Sequence, residues 1–375
     1  MIDMKKFVSL LLALVMAMSL AACGGGSDTA QAGGSSAAGN VSADSGEPAE
    51  ITAAGVDSAG EAVEVTVPYN PERVVVLDLA NLDILDNLGL GGRIVGVPTV
   101  TLPYLESYND SADIVGSVKT PDLEAVMACE PDLILLGGRM AEYYDQLCEI
   151  APTLRLTTVS GGGLVEAIRA NAKTIGAIFG ETEQVDELLA QYDARIAALA
   201  EFAGGKTCVL GMSTSGSFNL LGNDGRCSLI VNEIGFDNIG ADAAAAGSDR
   251  GGRGGSGEGG GEGGGRGSSA VTQESGSEDA GSGGSTPTHG NEVSFEAIIA
   301  LDPDYIFVMD RDSAISAAGA QMAQEIMENE LIMKTSAYQN GNLVILENPG
   351  IWYLAEGGIT SLGIMLEDLE SALLQ

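Results

Sequence analysis

The sequence predicts an α/β protein of two similar lobes with parallel-rich sheets, joined by a long helical segment. Three features carry that expectation. A strand–helix–strand unit lies between residues 73 and 97, a proline-free helical stretch covers 164–203, and a sixteen-residue unit occurs twice, 172 positions apart. A chain of 375 residues is long enough for two such cores.

The elements follow in order. Residues 1–22 place Lys5 and Lys6 before an apolar run from Phe7 to Leu20. That run is shorter than the roughly 20 residues of a spanning helix and ends in small residues before Cys23, as an export signal does. Residues 23–55 are rich in Gly, Ala and Ser and read as a flexible tether. The N-terminal lobe is expected over 56–163. Val63, Val65 and Val67 alternate with Glu64 and Thr66, the period of a half-buried strand. Arg73–Leu77 is a buried strand ending at Asp78, Leu79–Leu88 has helical spacing stopped by Gly89, and Arg93–Val97 is the next strand. Strand, helix and strand at this length make a βαβ unit and a parallel sheet.

Residues 164–203 form the linking helical segment, with Gly180 before Glu181 placed to break it into two helices. Lys206–Met212 opens a second α/β lobe over 204–375. Its residues 247–287 are dominated by Gly, with almost no aliphatic residues, and are expected to be a disordered insert. The Gly runs lack the apolar strand before and the Lys-Ser/Thr after that a phosphate loop needs.

The repeat is the strongest signal. EAVMACEPDLILLGGR (124–139) and EAIIALDPDYIFVMDR (296–311) share seven identities. In each copy a short helix stops before a proline, Pro131 or Pro303, which cannot continue it. A buried strand follows, and an arginine, Arg139 or Arg311, stands just past its carboxyl end. Ligands of open α/β sheets bind outside those ends. Two Rossmann-like lobes would thus each offer an arginine to a common interlobe cleft.

Composition excludes some functions. The chain has 53 acidic and 17 basic residues, a net charge of −36. A sequence-independent nucleic-acid binder needs the opposite balance. The single His excludes a multi-His metal centre. Cys129, Cys148, Cys208 and Cys227 show no CxxC spacing and read as small buried hydrophobes rather than disulfide partners.

Several segments resemble one family. PERVVVLDLANLDILDNLGL, GSVKTPDLEAVMACEPDLILLGGRM, THGNEVSFEAIIALDPDYIFVMDR and WYLAEGG look like solute-binding lipoproteins of bacterial ABC importers for iron-siderophores, haem and cobalamin. Within them the likeness is to the catecholate- and petrobactin-binding FatB and CeuE group. The resemblance covers roughly residues 60–245 and 286–375. It implies two lobes joined by a single long helix, with ligand in the cleft between them, no enzymatic activity and no intrinsic cofactor. Iron(III) would arrive within the siderophore. Leu20-Ala21-Ala22-Cys23 resembles a lipobox, which implies a lipid on Cys23 and a place on the outer face of the cytoplasmic membrane.

The same resemblance supplies candidate residues. Arg139, Arg226 and Arg311 would bind a ferric catecholate, a bulky trianion that suits the permanently charged guanidinium fork. Arg226 matches the family pattern least closely. His289 and Tyr353 would complete the iron shell of a tetradentate siderophore, phenolate oxygen being suited to hard Fe(III). Trp352 reads as packing. Glu124 and Glu296 would dock the two subunits of an ABC permease coupled to its ATPase, and a monomer is expected. Three alternatives stand beside this reading: a haem or cobalamin carrier of the same family, an exported hydrolase using His289, and an adhesin. No Gly-x-Ser-x-Gly elbow supports the hydrolase, and adhesion needs no duplicated arginine.

Overall fold

The computed structural model describes residues 48–158, 163–248, 291–292, 295–316 and 322–374. The first lobe begins with an antiparallel hairpin, β1 (Glu50–Val56) and β2 (Ala62–Pro68). It continues through β3 (Val74–Val76), α1 (Leu79–Asn87), β4 (Ile94–Val97), α2 (Tyr108–Ser111) and β5 (Asp113–Ile114). Next come α3 (Leu123–Ala128), β6 (Leu133–Leu136), α4 (Tyr144–Cys148) and β7 (Thr153–Arg155). Its five-stranded sheet has the order β5-β4-β3-β6-β7, and every pairing is parallel. Val74–Val76 and Leu133–Leu136 are wholly buried, the continuous apolar pattern of parallel strands covered on both faces.

Two helices follow, α5 (Leu164–Phe179) and α6 (Thr182–Ala203), packed against each other. The break falls at Gly180, whose φ of 76° closes α5 in the left-handed region that glycine enters without strain. The linking segment is therefore divided, and the 22-residue α6 is its longer part.

The second lobe comprises β8 (Thr207–Thr214), β9 (Ser217–Leu220), α7 (Ser228–Asn232), β10 (Asp237–Asn238), α8 (Ala241–Ser248) and β11 (Asn291–Glu292). After these come α9 (Phe295–Leu301), β12 (Tyr305–Asp310), α10 (Arg311–Ala314), α11 (Ala323–Met327), α12 (Ser336–Gln339), β13 (Leu343–Ile345), α13 (Pro349–Leu354) and α14 (Ile359–Leu373). The sheet order is β11-β9-β8-β12-β13, with β10 also on β8. β8, β10, β12 and β13 run parallel, whereas β9 and β11 form an antiparallel edge.

The repeat recurs in the backbone of its helix–turn–strand core. Glu130 and Asp302, 172 apart, both have φ of 44°. Asp132 accepts the N–H of Arg73, where β3 begins, and Asp304 accepts the N–H of Thr207, where β8 begins. The aspartate after each proline thus ties one strand to the start of its neighbour.

Three expectations need correction or limits. The tether does not extend to residue 55: Glu50–Val56 is a strand, because its small residues pair along β2 and Ala53 enters the core. Cys148, in the last turn of α4, is exposed, while Cys129, Cys208 and Cys227 are buried; all four are free. Residues 1–22, Cys23, insert residues 249–287 and His289 lie outside the described residues. Among those described, no helix is long and apolar enough to cross a membrane.

Candidate functional site

The site is assembled from strand ends. β6 delivers Arg139 through the turn Gly137-Gly138, and β12 delivers Arg311 as the first residue of α10. Gly137 is required by its neighbour: a Cβ there would stand 2.0 Å from Asp78 Oδ2. Asp78 itself caps α1, accepting the N–H groups of Ala80 and Asn81 at 3.0 Å each. Burial pushes its carboxyl up, against the pull of those N–H groups and of Arg139.

Arg226 precedes α7. The following residue, Cys227, sits in the left-handed region with φ of 63°. Its N–H is satisfied by Glu356 Oε1 at 2.8 Å. All three arginines converge on Tyr353 of α13. Their guanidinium carbons lie 4.5 Å (Arg139), 4.1 Å (Arg226) and 5.6 Å (Arg311) from its ring centroid. Arg139 and Arg226 both donate to the Tyr353 carbonyl, the latter at 2.8 Å. Arg311 Nε donates to Tyr353 Oη at 3.1 Å. Arg311 is steadied from behind by Thr214 at 3.2 Å and Asp312 at 3.5 Å.

Electrostatics follow from this crowding. Burial alone would raise the Tyr353 phenol, but Arg226, the bond from Arg311 and Arg139 together bring it below its ordinary value. Arg226 is lowered from the usual guanidinium range by burial and by repulsion from Arg139. Its Nε is buried and has no partner among the described residues. Trp352, next to Tyr353 in α13, is fully buried and donates to Asp368 Oδ2 at 2.8 Å. It is packing, as its sequence context indicates.

Residues of α10 and α13 also line a cavity of about 370 Å³ with Leu102 and Tyr104 of the first lobe, a cavity that neither the three arginines nor Tyr353 line. The cavity thus opens between lobes. Among the described residues, no group of three or more His, Cys, Asp and Glu is disposed to hold a metal.

The structure therefore brings four of the five expected ligand-binding residues, Arg139, Arg226, Arg311 and Tyr353, into one cluster. The fifth, His289, is outside the described residues. Glu124 and Glu296 do not belong to the cluster; both are exposed, in the first turns of α3 and α9. Sequence reasoning missed Asp78, Asp312 and Glu356, the acids around the arginines. All three stood in or beside a recognised motif, Asp78 inside PERVVVLDLANLDILDNLGL, Asp312 adjacent to Arg311 and Glu356 inside WYLAEGG, but nothing in those motifs marked them as partners of the arginines.

Comparison with known proteins agrees with this architecture. The family model Peripla_BP_2, described as periplasmic binding protein, matches residues 74–256 and 262–349. The petrobactin-binding protein YclQ of Bacillus subtilis is 30% identical over 384 residues, 99% of this chain and 99% of its own. The ferric-anguibactin-binding protein FatB of Vibrio anguillarum is 25% identical over 315 residues, 82% of this chain and 84% of its own. The crystal structure of YclQ aligns with a TM-score of 0.68, over 87% of this chain and 99% of that one. That of VctP from Vibrio cholerae, a periplasmic catecholate-siderophore binding protein, aligns with a TM-score of 0.66 at 26% identity, over 86% of this chain and all of that one (100%).

Proposed function

The chain belongs to the periplasmic binding protein family, and we propose that it captures a ferric siderophore of the catecholate class outside the cytoplasm and hands it to an ABC permease. The observation that carries this reading is the convergence of three arginines from two lobes, one with an unpartnered buried donor. Unlike charges at this spacing would be ordinary; three like charges gathered on one ring invite an anion. A ferric tris-catecholate carries three negative charges on oxygens, and guanidinium N–H groups match them in geometry and sign.

Binding and delivery need no bond-making step, so the protein acts by charge neutralisation in a partly dehydrated cleft. Arg139 and Arg226 would turn from the Tyr353 carbonyl toward catecholate oxygens. Tyr353, whose ionised form the arginines favour, is a hard oxygen donor suited to Fe(III) where a tetradentate siderophore leaves positions open. His289 is assigned the companion position. Replacing either residue (Tyr353→Phe or His289→Ala) should alter the visible absorption of the bound tetradentate complex, and leave that of a hexadentate complex unchanged.

Glu124 and Glu296 occupy equivalent first turns and are exposed. We assign them to two basic pockets of the permease. Reversing both charges should abolish uptake while ligand affinity stays the same; normal uptake by that double variant rules the assignment out. Cys23 is assigned the lipid anchor, which mass spectrometry of the mature N-terminal peptide tests directly.

The central test is a fluorescence titration, since Trp352 adjoins Tyr353 in α13. Saturable quenching is expected with ferric tris-catecholate and with a ferric tetradentate catecholate, and weaker quenching with a ferric hydroxamate. Absence of quenching by all three overturns the proposal.

A further inference from the structure

Each arginine of the cluster has an acid nearby, and the three acids are not equivalent. Asp78, beside Arg139, is committed to the cap of α1 through two backbone N–H groups. Asp312, beside Arg311, accepts the N–H of Ser215 at 2.6 Å and the Thr214 hydroxyl at 3.4 Å. Glu356 interacts with Arg226 and Arg139, yet among the described residues the one backbone group it accepts from is the Cys227 N–H. It is the acid with least else to do, and it sits at the arginine whose Nε is buried without a partner among the described residues.

We propose that Glu356 is the resident counter-anion of the arginine cluster, holding the Arg226 turn in place while the cleft is empty and opposing the charge of an incoming anion. This deepens, and rests on, the anion-binding reading above. Two geometric facts support it. The Glu356 carboxyl pins the left-handed residue adjoining Arg226, so it sets where that guanidinium starts. Glu356 also lies three residues beyond Tyr353, past the end of α13, so the acid and the ring meet the arginines from one short segment.

The groups facing the carboxyl are Arg226, Arg139, Glu233 and the Cys227 thiol and N–H. Burial raises the carboxyl to about 7, further than Arg226, the Cys227 N–H and Arg139 lower it, and Glu233 adds to the rise. An anion seated on the arginines adds another like charge and favours the protonated form further. Uptake of the anion should therefore draw in a proton, and affinity should fall as pH rises through neutrality.

The experiment compares wild type with Glu356→Gln, which keeps an acceptor for Cys227 N–H, and Glu356→Asp, which keeps the charge. Each is titrated with ferric tris-catecholate near pH 8. Glu356→Gln should bind about tenfold more tightly, one unit charge at a separation of several ångströms in a site of intermediate dielectric. Glu356→Asp should bind no more tightly than wild type. Equal or weaker binding by a folded Glu356→Gln, or tightening by Glu356→Asp, overturns the inference. A second readout needs no ligand. A carboxyl raised in the folded protein loses stability as pH climbs from the unfolded value through the folded one. Glu356→Gln should thus gain in melting temperature over wild type between about pH 5 and about pH 8. If wild type binds no ferric catecholate, the siderophore reading falls, and this melting difference alone decides on Glu356: a gap that does not change with pH overturns it.

Discussion

The two copies of the repeated unit share a backbone and differ in how each holds its arginine. In both, a left-handed residue, a proline and an aspartate lead into a buried strand. Over the two positions before the arginine they part. The first copy ends in Gly137-Gly138, leaving room for the Asp78 carboxyl beside Arg139. The second ends in Met309-Asp310: Met309 is buried in the core, and Asp310 caps α10 by accepting the Ser313 N–H at 3.0 Å. Repetition of backbone thus delivers an arginine to the same place in each lobe, and the neighbours that aim it are individual.

The largest expected effect tests what the copies share. Replacing Arg139, Arg226 and Arg311 together by Ala should weaken ferric tris-catecholate binding at least about a thousandfold, each charge-assisted bond contributing about 2 kcal/mol. Arg139→Ala and Arg311→Ala alone should cost similar amounts, roughly thirtyfold each at that magnitude. A loss confined to one of them in the quenching titration breaks the symmetry of the two lobes.

The next two tests separate the copies. Met309→Ala opens a void in the main core and should lower unfolding free energy by about 3 kcal/mol, read by denaturant melting, with affinity retained. At the equivalent position, Gly137→Ala forces Asp78 aside; affinity should fall about tenfold, as expected for about 1.4 kcal/mol of misplaced charge, with a smaller change in melting. Reversal of that pattern removes the distinction. The smallest effect returns to what is common: Asp132→Ala loses the bonds from the Glu72 and Arg73 N–H groups, Asp304→Ala those from the Thr207 N–H and hydroxyl, and each should cost about 1 kcal/mol.

The parts legible in the sequence were those with a period or a duplication. The strands around Val75 and Ile134, the break at Gly180 and the paired arginines all left such a mark. β1 did not: Ala53, Ala54 and Gly55 look like tether, and their strand character comes from pairing with β2. Asp78, Asp83 and Glu356 were not marked either. Each is one acid among 53, and what distinguishes it is the set of groups that tertiary folding packs around it.

Asp83 has a bearing on how the molecule comes to exist. Fully buried on α1, it accepts the N–H groups of Ile359, Thr360 and Ser361 at 2.9 Å each and the Tyr104 hydroxyl at 2.6 Å. Those three donors open α14, the last helix, which packs on α1 and α6. A polypeptide emerging amino-terminus first therefore carries a first lobe whose buried acid can meet Tyr104 and Asn87 early but lacks its three backbone donors until the final twenty or so residues appear. Such long-range closure slows folding, because the last helix must be made before the acid in the first is satisfied.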